Sequence, residues 1–127
     1  MARTTDITEQ VEAFMQPLAP YPEQPMRAIL DAMDVLEEDG PALGRPLVDV
    51  IQLEPDYREF IPLFGKHLKE LRPLGTDVRI LFTFGPDRTL VLLFAGDKAG
   101  NWKRWYGIAV AEAARLYTRY LEDTGQV

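Results

Sequence analysis

The chain has 127 residues, no cysteine and a formal net charge of −6, which is the size of one domain able to bury a core without disulfides or metal ions. The absence of cysteine excludes disulfides, thiol nucleophiles and thiolate metal sites, and it fits a reducing compartment. No apolar run approaches the about 18 residues that span a bilayer, and no signal-peptide core is present, so we expect a cytoplasmic protein without a membrane partner.

The N-terminal segment predicts a first helix. From Ile7 the apolar residues recur at helical spacing, and Asp6 with Glu9 resembles an N-terminal capping box. Pro17 and Pro20 then end the helix.

A second helix is predicted to follow the segment YPEQP and to stop at Gly40, which precedes a proline. Its apolar stripe consists of Met26, Ile29, Leu30, Met33 and Leu36. The acidic residues outside this stripe are expected to form a solvated surface rather than a site. The two helices form a hairpin that must cover another apolar layer.

The apolar layer is predicted to be a sheet. Residues 67–72, 78–84 and 89–95 read as three strands of a meander, because alternating or continuous apolar residues are bounded by turn residues. Residues 85–88 form a hairpin turn, and an amphipathic helix follows Gly107. The predicted element order is α-α-β-β-β-α.

Charge is distributed unevenly along the chain. Residues 66–106 hold eight Lys or Arg against four Asp or Glu, whereas residues 1–65 sum to −9 and residues 107–127 to −1. Basic side chains neutralise phosphates, and exposed aromatic side chains stack on unpaired bases. The aromatic residues in question are Trp102, Trp105 and Tyr106. The middle segment therefore indicates an anionic ligand, with a polyphosphate chain as the obvious candidate.

Several catalytic classes lack the residues they need. A single histidine and no cysteine leave no Cys-His pair, no His-rich metal spacing and no evident Ser-His-Asp set. Residues 96–101 contain two glycines, but Lys98 precedes the second and no Ser or Thr follows, so they do not match a P-loop. The remaining Lys, Arg, His and Tyr suit stabilisation of a phosphorane without metal or cofactor.

Four motifs carry a family resemblance: LGRPLVDVI (43–51), LKELRP (68–73), VRILFTFGPDR (78–88) and AGDKAGNWKRWY (95–106). They resemble the RelE/HigB-type toxins of bacterial type II toxin–antitoxin modules, within the RelE/ParE superfamily. The resemblance implies an α+β, RelE-like fold, in which two N-terminal helices pack on a small twisted antiparallel sheet and a C-terminal helix follows.

The implied organisation is a single toxin domain over residues 1–127. A helical hairpin would occupy residues 1–42, the sheet with its basic site residues 43–106, and the C-terminal helix residues 107–127.

The resemblance also implies an activity and partners. Such toxins are mRNA endoribonucleases that usually act on translating ribosomes, where the ribose 2′-OH attacks the adjacent phosphate without metal, and a cognate antitoxin, here expected to be a helix-turn-helix protein, neutralises them. The alternative is a non-catalytic or attenuated protein of the same fold that acts through its antitoxin or another protein target, as in the ParE branch.

Carried over by position, Arg72 and Arg79 match phosphate-contacting arginines, and Lys98 matches a basic active-site position. Tyr106 matches a late tyrosine near the final helix. The other expected participants in proton transfer or charge stabilisation are Lys69 and His67. The residues expected to bind RNA around the reacting centre are Lys66, Lys103 and Arg104, with Arg45 as a further phosphate contact.

Four features depart from the family pattern. Glu70 stands where some relatives have a lysine, which leaves the general base open, because a carboxylate repels phosphate unless a cation pairs with it. ARTTDI is too polar and short for the usual first strand, which is therefore expected to be missing. Residues 52–67 are longer than expected and predict an inserted turn or partner surface, and the net charge of −6 is unusual for such toxins.

Structural alternatives exist for the candidate arginines and lysine. Arg72 and Arg79 could be exposed strand residues that pair with Glu70 and Asp77, and Lys98 could pair with Asp97.

The aromatic residues and glycines also have structural interpretations. Trp102 and Trp105 are expected to seal the packing of a helix against the sheet, and Gly96 and Gly100 are expected to serve turn geometry.

Overall fold

A five-stranded mixed sheet crosses the middle of the protein in the computed structural model, which describes residues 4–19 and 24–126. The strands, in sheet order, are β1 (Thr5–Ile7), β5 (Leu90–Asp97), β4 (Val78–Phe84), β3 (Lys69–Leu71) and β2 (Val48–Val50). Strands β2 to β5 pair antiparallel, and β1 pairs parallel to β5. The α+β fold class and the central meander are confirmed, with an unpredicted strand added at each edge.

The N-terminal segment forms an edge strand, so the expectation that the first strand is missing was wrong. Strand β1 has only three residues, too few to show a readable alternation. It is held by backbone hydrogen bonds to β5, and it continues at either end with bonds from Leu90 to Thr4 (3.0 Å) and from Thr8 to Leu92 (3.2 Å).

Helix α1 (Glu9–Met15) begins after this strand, and the predicted capping box is wrong because Asp6 lies within β1. The N-cap is Thr8, whose hydroxyl accepts a hydrogen bond from the Val11 N–H at 3.3 Å. A 3₁₀ turn, Gln16–Leu18, follows the helix. The predicted stop at Pro20 and the first residues of YPEQP lie outside the described residues.

Helix α2 (Met26–Asp39) ends at Gly40, as predicted, where φ is +66°. Helices α1 and α2 cover one face of the sheet. The predicted stripe is wrong at Leu30, which is 45% exposed, while Ala28 and Ala32 are buried. The buried face of α2 is therefore rotated around the helix, away from Leu30 and towards the two alanines.

The opposite face of the sheet is covered by α4 (Trp102–Asp123) and by the segment between β2 and β3. That segment contains a 3₁₀ turn, Arg58–Phe60, and a one-turn helix α3, Ile61–Phe64. Phe64 of α3 stacks on Tyr117 of α4 with ring centroids 5.4 Å apart. Residues 52–67 thus contain turns and a short helix that pack against α4, and their role as an insertion or a partner surface stays a prediction.

Helix α4 begins at Trp102, five residues before Gly107, after which it was predicted to start. Its N-cap is Asn101, whose side chain accepts a hydrogen bond from the Arg104 N–H at 3.2 Å. The motif 102–106 is therefore helical, which places its basic and aromatic side chains at a helix N-terminus. Within the described residues, no helix combines the length and apolarity needed to cross a membrane.

Gly96 has a packing role, so the expectation that it serves a turn was wrong. It lies inside β5 opposite Arg79, and a Cβ at this position would meet the indole Nε1 of Trp105 at 2.6 Å. Gly100, with φ of +87°, does serve a turn, as predicted.

We expect Gly96→Ala to lower the free energy of unfolding by about 1–3 kcal/mol, because the new methyl group must displace the Trp105 ring. Gly107→Ala is the matched control: it adds a methyl group within α4, where nothing lies within 4 Å, and should stabilise by about 1 kcal/mol. Urea unfolding followed by tryptophan fluorescence measures both, and equal effects in the two variants would contradict this account of Gly96.

The ends of the described chain are joined by a hydrogen bond from the Tyr120 hydroxyl of α4 to Asp6 of β1, at 2.7 Å. Burial, and then the bond to the Asp6 carboxylate, raise the pKa of Tyr120 to about 12. A raised pKa in the folded state means that this bond stabilises fully below the ordinary tyrosine pKa of 10.0 and is lost as the pH rises towards 12.

The stability difference between the wild-type protein and Tyr120→Phe should therefore be constant at neutral pH and shrink from about pH 10 to about pH 12. Denaturant midpoints of both proteins across that range provide the test. A difference that stays constant above pH 10 would show that Tyr120 is not held by Asp6.

Candidate nucleic-acid interface

A groove with a volume of about 790 Å³ lies on the α4 side of the sheet. The basic residues that line it are Arg45, Arg72, Lys98 and Lys103, and the acidic residues are Asp49, Asp56 and Glu70. Most of these cations lie far apart in sequence and meet only through the fold. The groove therefore has an excess of positive charge in a protein of net charge −6.

Different elements bring these cations together. Arg72 follows the last residue of β3, and Lys98 follows the last residue of β5, where its N–H donates to the Asp77 carbonyl at 3.0 Å. Lys103 lies in the first turn of α4, and Arg45 precedes β2. The backbone N–H groups in the first turn of α4 lie at the same end of the helix as Lys103. Their partial positive charges add to the positive potential of the groove.

Asp49 organises one rim of the groove. Its Oδ2 lies 2.7 Å from Arg45 Nη2 and 3.7 Å from Arg72 Nη1. The Arg45 hydrogen bond is the main cause of a lowered pKa for the Asp49 carboxyl, which therefore stays ionised. Arg72 thus pairs with Asp49 rather than with Glu70 or Asp77. Phosphate contact by Arg72 stays a prediction, and it would compete with the Asp49 pair.

A buried polar network lies at the floor of the groove. Glu70 of β3 and Arg79 of β4 approach to 3.6 Å with side chains 10% and 8% exposed, and the Tyr106 hydroxyl donates a hydrogen bond to Glu70. Arg79 Nη1 donates to the carbonyls of Val78 (2.7 Å) and Thr76 (3.2 Å), whereas its Nε has no hydrogen-bond partner. The sequence allowed an ion pair for Arg79, but the expectation that this arginine is exposed was wrong, because β4 lies within the sheet under α4.

This network explains how Glu70 is accommodated beside a basic groove. Its negative charge is compensated by Arg79 and by the Tyr106 hydroxyl, so it does not face the groove as a free carboxylate. A smaller depression of about 280 Å³, which shares Arg45 and Arg72 with the groove, borders the Arg79 side chain. Phosphate contact by Arg79 stays a prediction, and it would compete with the Glu70 pair.

Tyr106 holds its proton firmly. Burial is the main reason why the pKa of its hydroxyl is raised, and the hydrogen bond to the Glu70 carboxylate adds to the effect. At neutral pH the side chain is therefore a hydrogen-bond donor and is a poor base on its own.

Two of the expected proton-transfer residues lie elsewhere. Lys69 alternates with Glu70 along β3 and so belongs to the other face of the sheet, where its Nζ donates to the Pro41 carbonyl at 3.2 Å. His67 is exposed before β3 and does not line the groove. Only Tyr106 of these three lies in the groove. Side chains alternate between the two faces of a strand, so Lys69 and Arg72, three residues apart, are expected on opposite faces. The sequence therefore already indicated that Lys69 lies away from the groove.

Of the three expected RNA-binding residues, Lys103 lines the groove, whereas Lys66 and Arg104 are exposed outside its lining. The acidic partners Asp49 and Asp56 were not anticipated. The spacing of four residues between Arg45 and Asp49 was the available signal for their ion pair.

Trp102 lines the groove and is 52% exposed, so the expectation that it seals the packing of the helix was wrong. Trp105 does have that role: its ring packs against Phe94, with centroids 6.1 Å apart, at the edge of the core under α4.

Comparisons with known proteins agree with the sequence motifs. The model of the phage-derived Gp49-like protein family (DUF891) matches residues 17–118. The chain is 49% identical over 81 residues to a Mycobacterium tuberculosis (strain ATCC 25618 / H37Rv) protein named as the candidate toxin HigB3, covering 64% of this chain and 63% of that protein. It is 37% identical over 127 residues to the candidate toxin HigB2 of the same organism, covering 95% and 57% respectively.

The chain thus spans between 57% and 63% of the length of these curated relatives. The predicted resemblance to HigB-type toxins is confirmed.

We expect Glu70→Gln to lower the free energy of unfolding by about 3–5 kcal/mol, because it leaves the buried Arg79 charge without its counterion. Glu112→Gln makes the same chemical change in an exposed pair with Arg115 and should leave stability unchanged within error. Urea unfolding followed by circular dichroism compares the two. Similar small losses would show that the Glu70–Arg79 pair does not stabilise the fold.

Proposed function

Because the chain belongs to the phage-derived Gp49-like protein family and is similar to two proteins named as HigB toxins, we propose that it is the toxin of a toxin–antitoxin system. Its activity is that of a metal-independent mRNA endoribonuclease, which acts in the cytoplasm on translating ribosomes and is neutralised by a helix-turn-helix antitoxin. The observation that carries the nuclease proposal is the convergence of Arg72, Lys98, Lys103 and the exposed Trp102 on one open groove.

The groove suits a single-stranded nucleic acid. Its cations come from the ends of β3 and β5 and from the start of α4, so they can contact successive phosphates rather than one isolated anion. An exposed indole among cations adds a surface for an unpaired base. The acidic face of α2 lies on the opposite side of the sheet, where it would repel the same strand.

The proposed reaction is attack of a ribose 2′-oxygen on the adjacent phosphorus, with departure of the 5′-oxygen. Arg72 and Lys98 would neutralise the charge that develops on the nonbridging oxygens. Tyr106 would accept the 2′-hydroxyl proton while its own proton passes to Glu70, so that no tyrosinate has to form. The leaving 5′-oxygen, on the opposite side of the phosphorus, would take a proton from water in the open groove, and Glu70 would release its proton to solvent. Arg79 is a positioning residue in this scheme, since it acts by holding Glu70.

A second candidate function is a non-catalytic toxin-fold protein that acts by binding its antitoxin or another protein target. The specific observation in its favour is that Glu70 engages both Arg79 and Tyr106. In addition, among the described residues that line the groove there is no histidine. Such a protein would bind without cutting, so the two functions separate on the appearance of new RNA ends.

The deciding experiment is induced expression in a bacterial host, with growth followed and mRNA 5′ ends mapped. The double variant Arg72→Gln/Lys98→Gln should lose both growth arrest and the new ends, because it removes two of the cations that grip the phosphate. The control Arg115→Gln/Arg119→Gln makes the same change of charge on exposed residues of α4 away from the groove, and it should behave as the wild type.

Each outcome has a distinct meaning. Equal activity of wild type and the Arg72/Lys98 variant would remove the groove from the mechanism. Normal growth without new ends, from wild-type protein shown to be folded and free of antitoxin, would favour the binding protein.

A further inference from the structure

Trp102 has an unusual combination of exposure and fixed position. It is the first residue of α4, and its side chain is 52% exposed at the groove. A large apolar ring at this position gains little from burial, since Trp105, one turn further along, makes the contacts with the sheet. Packing of the protein's own core therefore does not account for the Trp102 ring.

The ring is held by a chain of aromatic contacts that leads back to the core. Trp102 meets Tyr106 edge to face, with centroids 6.3 Å apart, and Tyr106 meets Trp105 in the same way at 5.0 Å. Trp105 in turn contacts Phe94 of β5. Because Tyr106 is also fixed by its hydrogen bond to Glu70, Trp102 rests on a rigid support.

The surroundings of the ring select the class of ligand. Lys103 Nζ lies 5.8 Å from the Trp102 ring centroid, and Lys98 and Arg72 line the same groove. An aromatic face beside cations spaced along a groove is the combination with which proteins bind a nucleic-acid strand, since bases stack on the ring while phosphates meet the cations.

We propose that Trp102 is the stacking site for one unpaired nucleobase of the strand whose phosphates contact Arg72, Lys98 and Lys103. The inference rests on the proposed RNA-binding function and adds to it the place where a base is bound. Stacking on the indole requires that one face of the base is not covered by a neighbouring base, so the site favours a single strand over a duplex. A purine offers a larger face than a pyrimidine.

The test compares two labelled single strands of equal length by fluorescence anisotropy. One is an oligodeoxyadenylate, which lacks the 2′-hydroxyl and cannot be cut by the proposed reaction, and the other is its abasic counterpart, which has the phosphates alone. Wild-type protein should bind the adenylate strand on the order of tenfold or more tightly than the abasic strand. Trp102→Ala should remove that difference and leave abasic-strand binding unchanged.

Two control variants separate this inference from the function on which it rests. Trp102→Phe should retain part of the preference for the adenylate strand, because it keeps an aromatic face. Lys98→Gln should weaken both strands by the same factor, because it removes a phosphate contact. Circular dichroism establishes that each variant is folded.

The outcomes are distinguishable. An unchanged preference in Trp102→Ala, together with weaker binding of both strands by Lys98→Gln, would overturn the stacking site and leave phosphate binding by the groove intact. Failure of both strands to bind wild-type protein would overturn the stacking site and the RNA-binding groove together.

Discussion

The position of the first turns of α4 depends on the hydrogen bond from Tyr106 to Glu70, which is itself held in the buried pair with Arg79. Apolar packing alone is non-directional and leaves a helix free to slide or turn on a sheet, whereas a hydrogen bond requires a defined distance and angle. Tyr106 therefore sets the rotation of the first turns of α4. The places of Lys103 and Trp102 at the groove follow from that rotation, since both lie within one turn of Tyr106.

Gly96 allows Tyr106 to reach Glu70. Gly96 opposes Arg79 in the β4–β5 ladder and leaves the space that the Trp105 indole fills. The helix can therefore approach the sheet closely enough for the neighbouring tyrosine to reach Glu70. Gly96 and the buried Glu70–Arg79 pair together bring the basic N-terminal end of α4 close to the strands.

A local excess of cations can bind an anion although the protein as a whole is acidic. At physiological ionic strength, charges further apart than about 8 Å are strongly screened. A phosphate in the groove is thus influenced mainly by residues such as Arg72 and Lys98 and far less by the acidic face of α2 across the sheet. The net charge of the protein affects the long-range approach of a ligand, whereas the residues that line the groove determine whether the ligand is bound.

Except for β3, which turn residues delimit, the elements that were predictable from sequence are those long enough to show a period. Strands β4 and β5, with seven and eight residues, and helix α2, with fourteen, were recognised. Strands β1 and β2 have three residues each and exist because a neighbour offers hydrogen bonds, which no local pattern reveals.

The site was predictable to the extent that its residues follow local rules. Arg72 and Lys98, at the ends of strands, were candidates from the sequence, and both line the groove, while their contact with phosphate stays a prediction. The burial of Arg79 depends on how β3 and β4 pair and on a tyrosine from α4, so it follows from long-range register rather than from local sequence. The exposure of Trp102 likewise depends on where α4 begins. The helix was predicted to start only after Gly107, so Trp102 was not recognised as its first residue.

The edge strand β1 has a consequence for the order in which the protein acquires its structure. Thr8 and Gln10, just beyond this strand, bond to carbonyl groups of β5 that are 85 residues away in sequence. During synthesis β1 therefore has no strand to pair with until β5 has emerged, and α4 is made later still. Contacts of such long sequence separation delay folding, because the intervening loop must close before they form. The groove, which needs both β5 and α4, is consequently completed only after most of the sheet has been synthesised.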